Sequence, residues 1–159
     1  MQDQLIGTWR LVSVTNEDAE TGATSDLFGP DPIGYISYAA DGRMMVVQVR
    51  SDRPKPQGDI ASTTEAEALF RSMLSYAGRY TIEGDEVTHH IDVSWNQAWT
   101  GTDQVRFYHL SGDMLTITTA PYRSYQDGRQ GRSVLIWEKV DASPVLGKGK
   151  KAGSPADRC

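Results

Sequence analysis

The chain has 159 residues, 38% of them hydrophobic, which is the size and make-up of one folded domain and excludes a multidomain organisation. Sixteen Lys and Arg stand against 21 Asp and Glu, a net charge of −5, so no basic surplus exists to neutralise a phosphate backbone and nucleic acid is excluded as the main partner. The single cysteine, Cys159, rules out an intrachain disulfide and every multi-cysteine zinc motif. The opening MQDQLIGTWRLV has no basic n-region, and no run approaches the ~20 apolar residues a membrane helix needs. The expectation is a cytoplasmic protein with no membrane partner.

In chain order, residues 6–15, 33–39, 43–50, 78–83, 86–95, 104–110, 114–120 and 133–140 are rich in β-branched and aromatic side chains and read as strands. Short Gly/Asp connectors at Ala40-Asp41-Gly42, Glu83-Gly84-Asp85 and Ser111-Gly112-Asp113 predict antiparallel hairpins between neighbours. Residues 51–61 hold two prolines and read as a loop crossing one end of the molecule. One segment, residues 62–77, has helical periodicity: Ser62 with Glu65, or Thr64 with Glu67, fits a capping box, and Leu69, Phe70, Met73, Leu74 and Ala77 form an apolar stripe. After Asp141 the apolar periodicity disappears, which predicts a domain over 1–141 and a flexible, poorly packed tail over 142–159. Many antiparallel strands with one helix leave a sandwich or a closed up-and-down barrel of about 8–10 strands, and closure is favoured because none of the strands carries edge protection. The fold class is all-β.

Several blocks carry a more specific signal. Gly7-Thr8-Trp9-Arg10-Leu11-Val12-Ser13, Gly29-Pro30-Asp31-Pro32-Ile33-Gly34-Tyr35-Ile36, Ala40-Asp41-Gly42-Arg43-Met44, Tyr76-Ala77-Gly78-Arg79-Tyr80, Val87-Thr88-His89-His90, the run from Trp99 to Phe107, and Leu135-Ile136-Trp137-Glu138 occur in order between Leu5 and Val140. Together they resemble the lipocalin-like domain family of bacteria and fungi. The resemblance implies a lipocalin-like β-barrel with an internal cavity for a small, largely apolar molecule; no cofactor is expected, because the sequence has no haem, iron–sulfur or phosphate-loop motif. Some barrels of similar build act as cofactor-independent cyclases or isomerases on natural-product intermediates, so the resemblance does not choose between binding and catalysis.

Among individual residues, Trp9 is expected to close the narrow end of the barrel. His89 and His90 are adjacent on a strand and point to opposite faces, so they do not form a metal pair, and a site using His89 and His109 lacks a third ligand. No metal is expected. A hairpin centred near Trp99 would set His89 beside His109, His90 beside Tyr108 and Asp92 beside Arg106. One face then holds Val87, His89, Ile91 and Val93 with Val105, Phe107 and His109; the other holds Thr88, His90, Asp92 and Ser94 with Gln104, Arg106 and Tyr108. Burial favours the apolar face inward and leaves Asp92–Arg106 a surface pair. The alternative places the polar face in a wet cavity, where His90, Asp92, Arg106 and Tyr108 are the candidate catalytic residues. A one-residue slip exchanges the two.

The candidate ligand-binding residues are Tyr35, Met45, Tyr80, His89, Trp95, Trp99 and Phe107, an aromatic and methionine set suited to a small-molecule cavity. Trp95 and Trp99 flank a turn and are expected at a barrel mouth or lid. Residues 121–132 are rich in Tyr and Arg and read as a rim loop. Three functions follow: binding of a small hydrophobic or amphipathic metabolite in a barrel cavity, a cofactor-independent cyclase or isomerase, or a ligand-free structural or interaction module. A homodimer is compatible with any of them. A cavity in the usual ligand-pocket range of about 300–1,000 Å³ would speak against the module.

Overall fold

The computed structural model describes residues 4–124, 127–141 and 147. The tail expected over 142–159 lies outside the described residues, except for Gly147, which is exposed. Ten strands form one antiparallel sheet: β1 (Gly7–Asp18), β2 (Thr24–Ser25), β3 (Ile33–Tyr38), β4 (Arg43–Val49), β5 (Met73–Glu83), β6 (Glu86–Ser94), β7 (Asp103–Ser111), β8 (Met114–Thr119), β9 (Tyr122–Arg123) and β10 (Gln130–Lys139). Their order is β2-β1-β3-β4-β5-β6-β7-β8-β10-β9, and β1 also pairs with β10, so eight strands close on themselves while β2 and β9 are two-residue additions at the rim. The fold is a closed eight-stranded antiparallel barrel with one helix.

Connection length separates its two ends. The turns after β3, β5 and β7 are tight, and Gly84 and Gly112 supply the left-handed backbone they require, with φ of 62° and 58°. The connections after β1, β4, β6 and β8 are longer and gather at the opposite end, the mouth. Trp9 lies at the tight-turn end, 2% exposed, with Nε1 donating to the Leu5 carbonyl at 2.9 Å and the Lys139 ammonium 4.4 Å above its ring. Leu5, Tyr38, Met44 and Leu115 are buried in the same core.

The helix, α1, runs over Thr63–Arg71 and is shorter than its periodicity predicts. Its capping box is present, with Ser62 Oγ accepting from the Glu65 amide at 3.2 Å and Glu65 Oε2 accepting from the Ser62 amide at 3.4 Å. Met73, Leu74 and Ala77 belong to β5 instead. Their spacing suits either element, but closure decides: from Met73 onward β5 pairs with β4, and from Tyr76 with β6 as well, whereas α1 buries none of its residues and gains little by lengthening.

Two bulges interrupt the alternation. In β1 the pairing with β10 shifts between Leu11 and Ser13. Between β5 and β6 it shifts at Ala77/Gly78 and passes over Asp92, so Asp92 and Val93 are both exposed; the expectation that Val93 shares the face of His89 and Ile91 is corrected by this extra residue.

Candidate functional site

The β6–β7 register sets the site and differs from the expected one. Val87 pairs with Arg106, His89 with Gln104 and His90 with Asp103, so the hairpin centres between Asn96 and Gln97 instead of near Trp99. The cause is local: Trp95 stays with β5 because its backbone N–H donates a hydrogen bond to the Ser75 carbonyl, and the 3-10 turn at Gln97–Trp99 leaves Thr102 to resume pairing with Ile91. The displacement is an odd number of residues. The apolar face of β6 therefore joins the polar face of β7, and neither expected combination occurs. His89 is not beside His109, which pairs with Thr116 of β8, and Asp92 is not beside Arg106.

Of the four candidate catalytic residues, Arg106 faces inward and is 8% exposed. Tyr108, two residues away on the same strand, packs against the core and donates its hydroxyl to the Gly84 carbonyl at the tight-turn end. His90 and Asp92 lie outside: His90 bridges Thr81 and Asp103 at 2.9 and 2.8 Å, and Asp92 pairs with Arg43 at 2.7 Å. The four do not converge.

Of the candidate ligand-binding residues, His89 is buried, Tyr80 packs edge-on to Tyr38 and donates to the Ala39 carbonyl, and Trp99 stacks between Tyr76 and Trp95 near the mouth. Trp95 also reaches α1, with its ring 5.9 Å from Phe70. Tyr35, Met45 and Phe107 point away from the lumen and are 46%, 64% and 39% exposed. Tyr35, Met45, Val47, Val93 and Trp95 line an outer groove of about 530 Å³ across β3–β6.

The interior holds a narrow chamber of about 40 Å³. That is room for a few water-sized groups, well below the usual ligand-pocket range of about 300–1,000 Å³. Its wall is divided. Four consecutive strands place polar side chains inward near the mouth: His89 of β6, Arg106 of β7, Thr119 of β8 and Ser133 of β10. The facing strands contribute Val14, Ile36 and Val46. Phe28 and Tyr122 come from the β2–β3 connection and from β9 at the rim, and the Tyr122 hydroxyl meets Ser133 Oγ at 2.8 Å. No Asp or Glu lines the chamber among the described residues.

His89 sits between two tyrosines, with Nε2 2.8 Å from the Tyr38 hydroxyl and Nδ1 2.7 Å from that of Tyr76. Burial pushes its pKa well below the usual histidine value, and the Arg106 charge and His90 push the same way. Burial likewise raises both tyrosines, against which Arg106 pulls. The triad is therefore neutral, and a neutral imidazole donates with one nitrogen and accepts with the other, so it engages one tyrosine proton and leaves the second for another acceptor.

A pH dependence follows. Between its lowered folded pKa and the ordinary value of 6.5, the unfolded chain binds a proton at His89 that the folded chain lacks. Stability should fall by about 1.4 kcal/mol for each unit by which the pH drops through that window and be indifferent to His89 above it. Urea melts from pH 7.5 to 5 check this, with His89→Gln expected to flatten the slope; a wild-type curve level across that range would contradict it.

The sequence reading did not single out Gln48, Thr119 and Ser133 as lining residues. Their signal is periodic: each is the mouth-side member of an inward i, i+2 series, Met44-Val46-Gln48, Leu115-Ile117-Thr119 and Trp137-Leu135-Ser133, and all are buried. Among the described residues no three His, Cys, Asp or Glu side chains gather as a metal site, and no helix is long and apolar enough to cross a membrane.

The description "lipocalin-like domain" attaches to a family model that matches residues 6–140. The 4'-hydroxy-3'-methoxypropiophenone carrier protein of Aspergillus oryzae is 30% identical over 103 residues, 58% of this chain and 92% of that protein. A lipocalin-like protein from Bacteroides uniformis shares 15% identity at a TM-score of 0.46, over 86% of this chain and 98% of its own. An uncharacterised protein from Bacteroides eggerthii shares 11% at 0.41, over 86% and 99%. With the family model spanning nearly the whole barrel, the chain belongs to the lipocalin-like domain family.

Proposed function

We propose that the protein carries a small amphipathic aromatic carbonyl compound in its barrel, with the apolar body against Val14, Ile36 and Val46 and an oxygen against the polar arc. The observation that carries this reading is the arc itself. His89 and Ser133 find hydrogen-bond partners inside the barrel and Thr119 accepts from the Ser133 amide, but Arg106 is buried beside them with no carboxylate partner among the described residues, a cost from which a solid module gains nothing. The Aspergillus oryzae relative, named as a carrier of an aryl ketone, supports the same guest class.

A guest of that size enters a chamber of about 40 Å³ only if lining groups withdraw. Phe28, on the β2–β3 connection, and Tyr122, on the two-residue rim strand β9, are the residues placed to do so, since the barrel strands are held by ladder bonds on both sides. The finer expectations of a cytoplasmic location and of a homodimer, the latter through the apolar outer face of β3–β6, belong to this reading.

Titration with 4'-hydroxy-3'-methoxypropiophenone, followed by tryptophan fluorescence, should give saturable one-to-one binding. Ile117→Phe, which adds bulk inside the chamber, should weaken it by on the order of tenfold. No saturable signal with aryl ketones, together with no co-purifying small molecule in native mass spectrometry, would overturn the proposal.

The Tyr38–His89–Tyr76 chain favours one second reading, a cofactor-independent isomerase or cyclase, because it can hold and shift a proton beside a bound carbonyl. Exchange of the guest's α-hydrogen in D₂O, lost in His89→Gln while binding persists, would select it.

A further inference from the structure

We propose that Arg106 anchors an oxygen anion of the guest, so that the chamber takes a carboxylate, phenolate or enolate carried on a small apolar body. This rests on the carrier reading and adds the charge state of what is carried.

Arg106 has an incomplete set of partners. Arg106 is more than nine-tenths buried, yet among the described residues it forms no salt bridge; its guanidinium donates to the Val105 carbonyl at 3.1 Å and hydrogen-bonds the Tyr76 side chain. A guanidinium offers five N–H donors in a planar fork, so most of its capacity is unspent, and it lines the chamber. Five of the other arginines, Arg10, Arg43, Arg50, Arg71 and Arg132, meet a carboxylate at the surface, and the exposed Arg123 donates to the Gly128 carbonyl, whereas Arg106 is buried.

The titratable groups around Arg106 are His89 of β6, Tyr76 of β5, Tyr38 of β3 and Tyr122 of β9, none of them a carboxylate. Asp127 is felt at Tyr122 but does not line the chamber. His89 is held neutral and supplies no counter-charge.

A second observation points the same way. Trp137 lines the same chamber, is 1% exposed, and its Nε1–H has no hydrogen-bond acceptor. The chamber wall thus contains a buried cation and a neutral donor without an acceptor. A guest whose oxygen is negatively charged satisfies the first, and a further oxygen acceptor satisfies the second. A neutral hydrocarbon satisfies neither, and a cationic guest would face Arg106 with like charge.

The test uses matched pairs in the wild-type protein: 4'-hydroxy-3'-methoxypropiophenone against 3',4'-dimethoxypropiophenone, and 3-phenylpropionate against 3-phenylpropionamide. In at least one pair the ionisable member should bind roughly tenfold tighter or more. The phenol, if it is the bound form, should show the phenolate ultraviolet band at a pH where the free compound is neutral. The two pairs separate a phenolate from a carboxylate source. Arg106→Met should level the preference and Arg106→Lys should retain part of it; if Arg106→Met does not fold, the wild-type affinity ratios and the ultraviolet band decide alone. Equal binding of the ether and amide with their acidic partners, or a preference that survives in Arg106→Met, overturns the anion site and leaves the carrier standing. Binding of none of the four compounds overturns both.

Discussion

Gly78→Ala should cost the barrel about 3 kcal/mol, a large share of the roughly 5–15 kcal/mol by which a domain of this kind is stable. A Cβ on Gly78 would lie 1.9 Å from the His90 carbonyl oxygen, 2.8 Å from its carbon and 3.0 Å from the Ile91 Cα. All three are backbone atoms of the adjacent strand, so no side chain can swing aside; the β5–β6 ladder itself would have to open. The position coincides with the shift in pairing that passes over Asp92, so the damage would reach His89 and Ile91 on the same strand. Urea unfolding measures it. Gly58→Ala is the control, since a Cβ there meets nothing within 4 Å. Equal midpoints for the two variants would show that the close approach is relieved without cost.

The second large effect has the opposite sign. Arg106→Met should make the protein more stable, by about 1–4 kcal/mol, while removing its preference for an anionic guest. The guanidinium is buried with no carboxylate partner among the described residues, so the fold bears its desolvation without a matching ion pair. Methionine has a similar reach and no charge, and it suits a wall already containing Val46 and Ile117. Arg106 also depresses the His89 pKa, so the variant should bring that pKa up and narrow the acid window in which His89 weakens the fold. A rise in thermal midpoint together with lost anion discrimination is the expected pair of results. A clear fall in the midpoint would instead identify Arg106 as a residue that holds the barrel together.

These effects show why a site of this type is costly to keep. Stability alone favours an apolar residue at position 106, and the polar arc persists in spite of that. The mouth residues complete the arrangement: Phe28 and Tyr122 sit on long connections over the chamber, whereas Trp9 closes the other end from within a strand paired on both sides.

The amino-acid sequence by itself determined the strands, because period-two alternation and Gly/Asp turns are local properties: all eight barrel strands are legible, as are the capping box at Ser62 and the role of Trp9 at the narrow end. It also determines which residues of an uninterrupted strand share a face, as in Met44-Val46-Gln48, but not in β6, where the bulge at Asp92 turns Val93 outward. What only the tertiary structure decided was how those faces line up across strands. The β6–β7 register depends on a 3-10 turn whose length in the ladder no alternation pattern reveals, and its odd displacement brought Arg106 to the side of His89 and sent Phe107 outside. The same holds for Met73, Leu74 and Ala77, whose spacing serves a helix or a strand equally until closure requires β5 to pair on both sides. Side-chain direction within a strand is fixed by local geometry, but register is fixed by contacts distant in sequence, and the chamber depends on register.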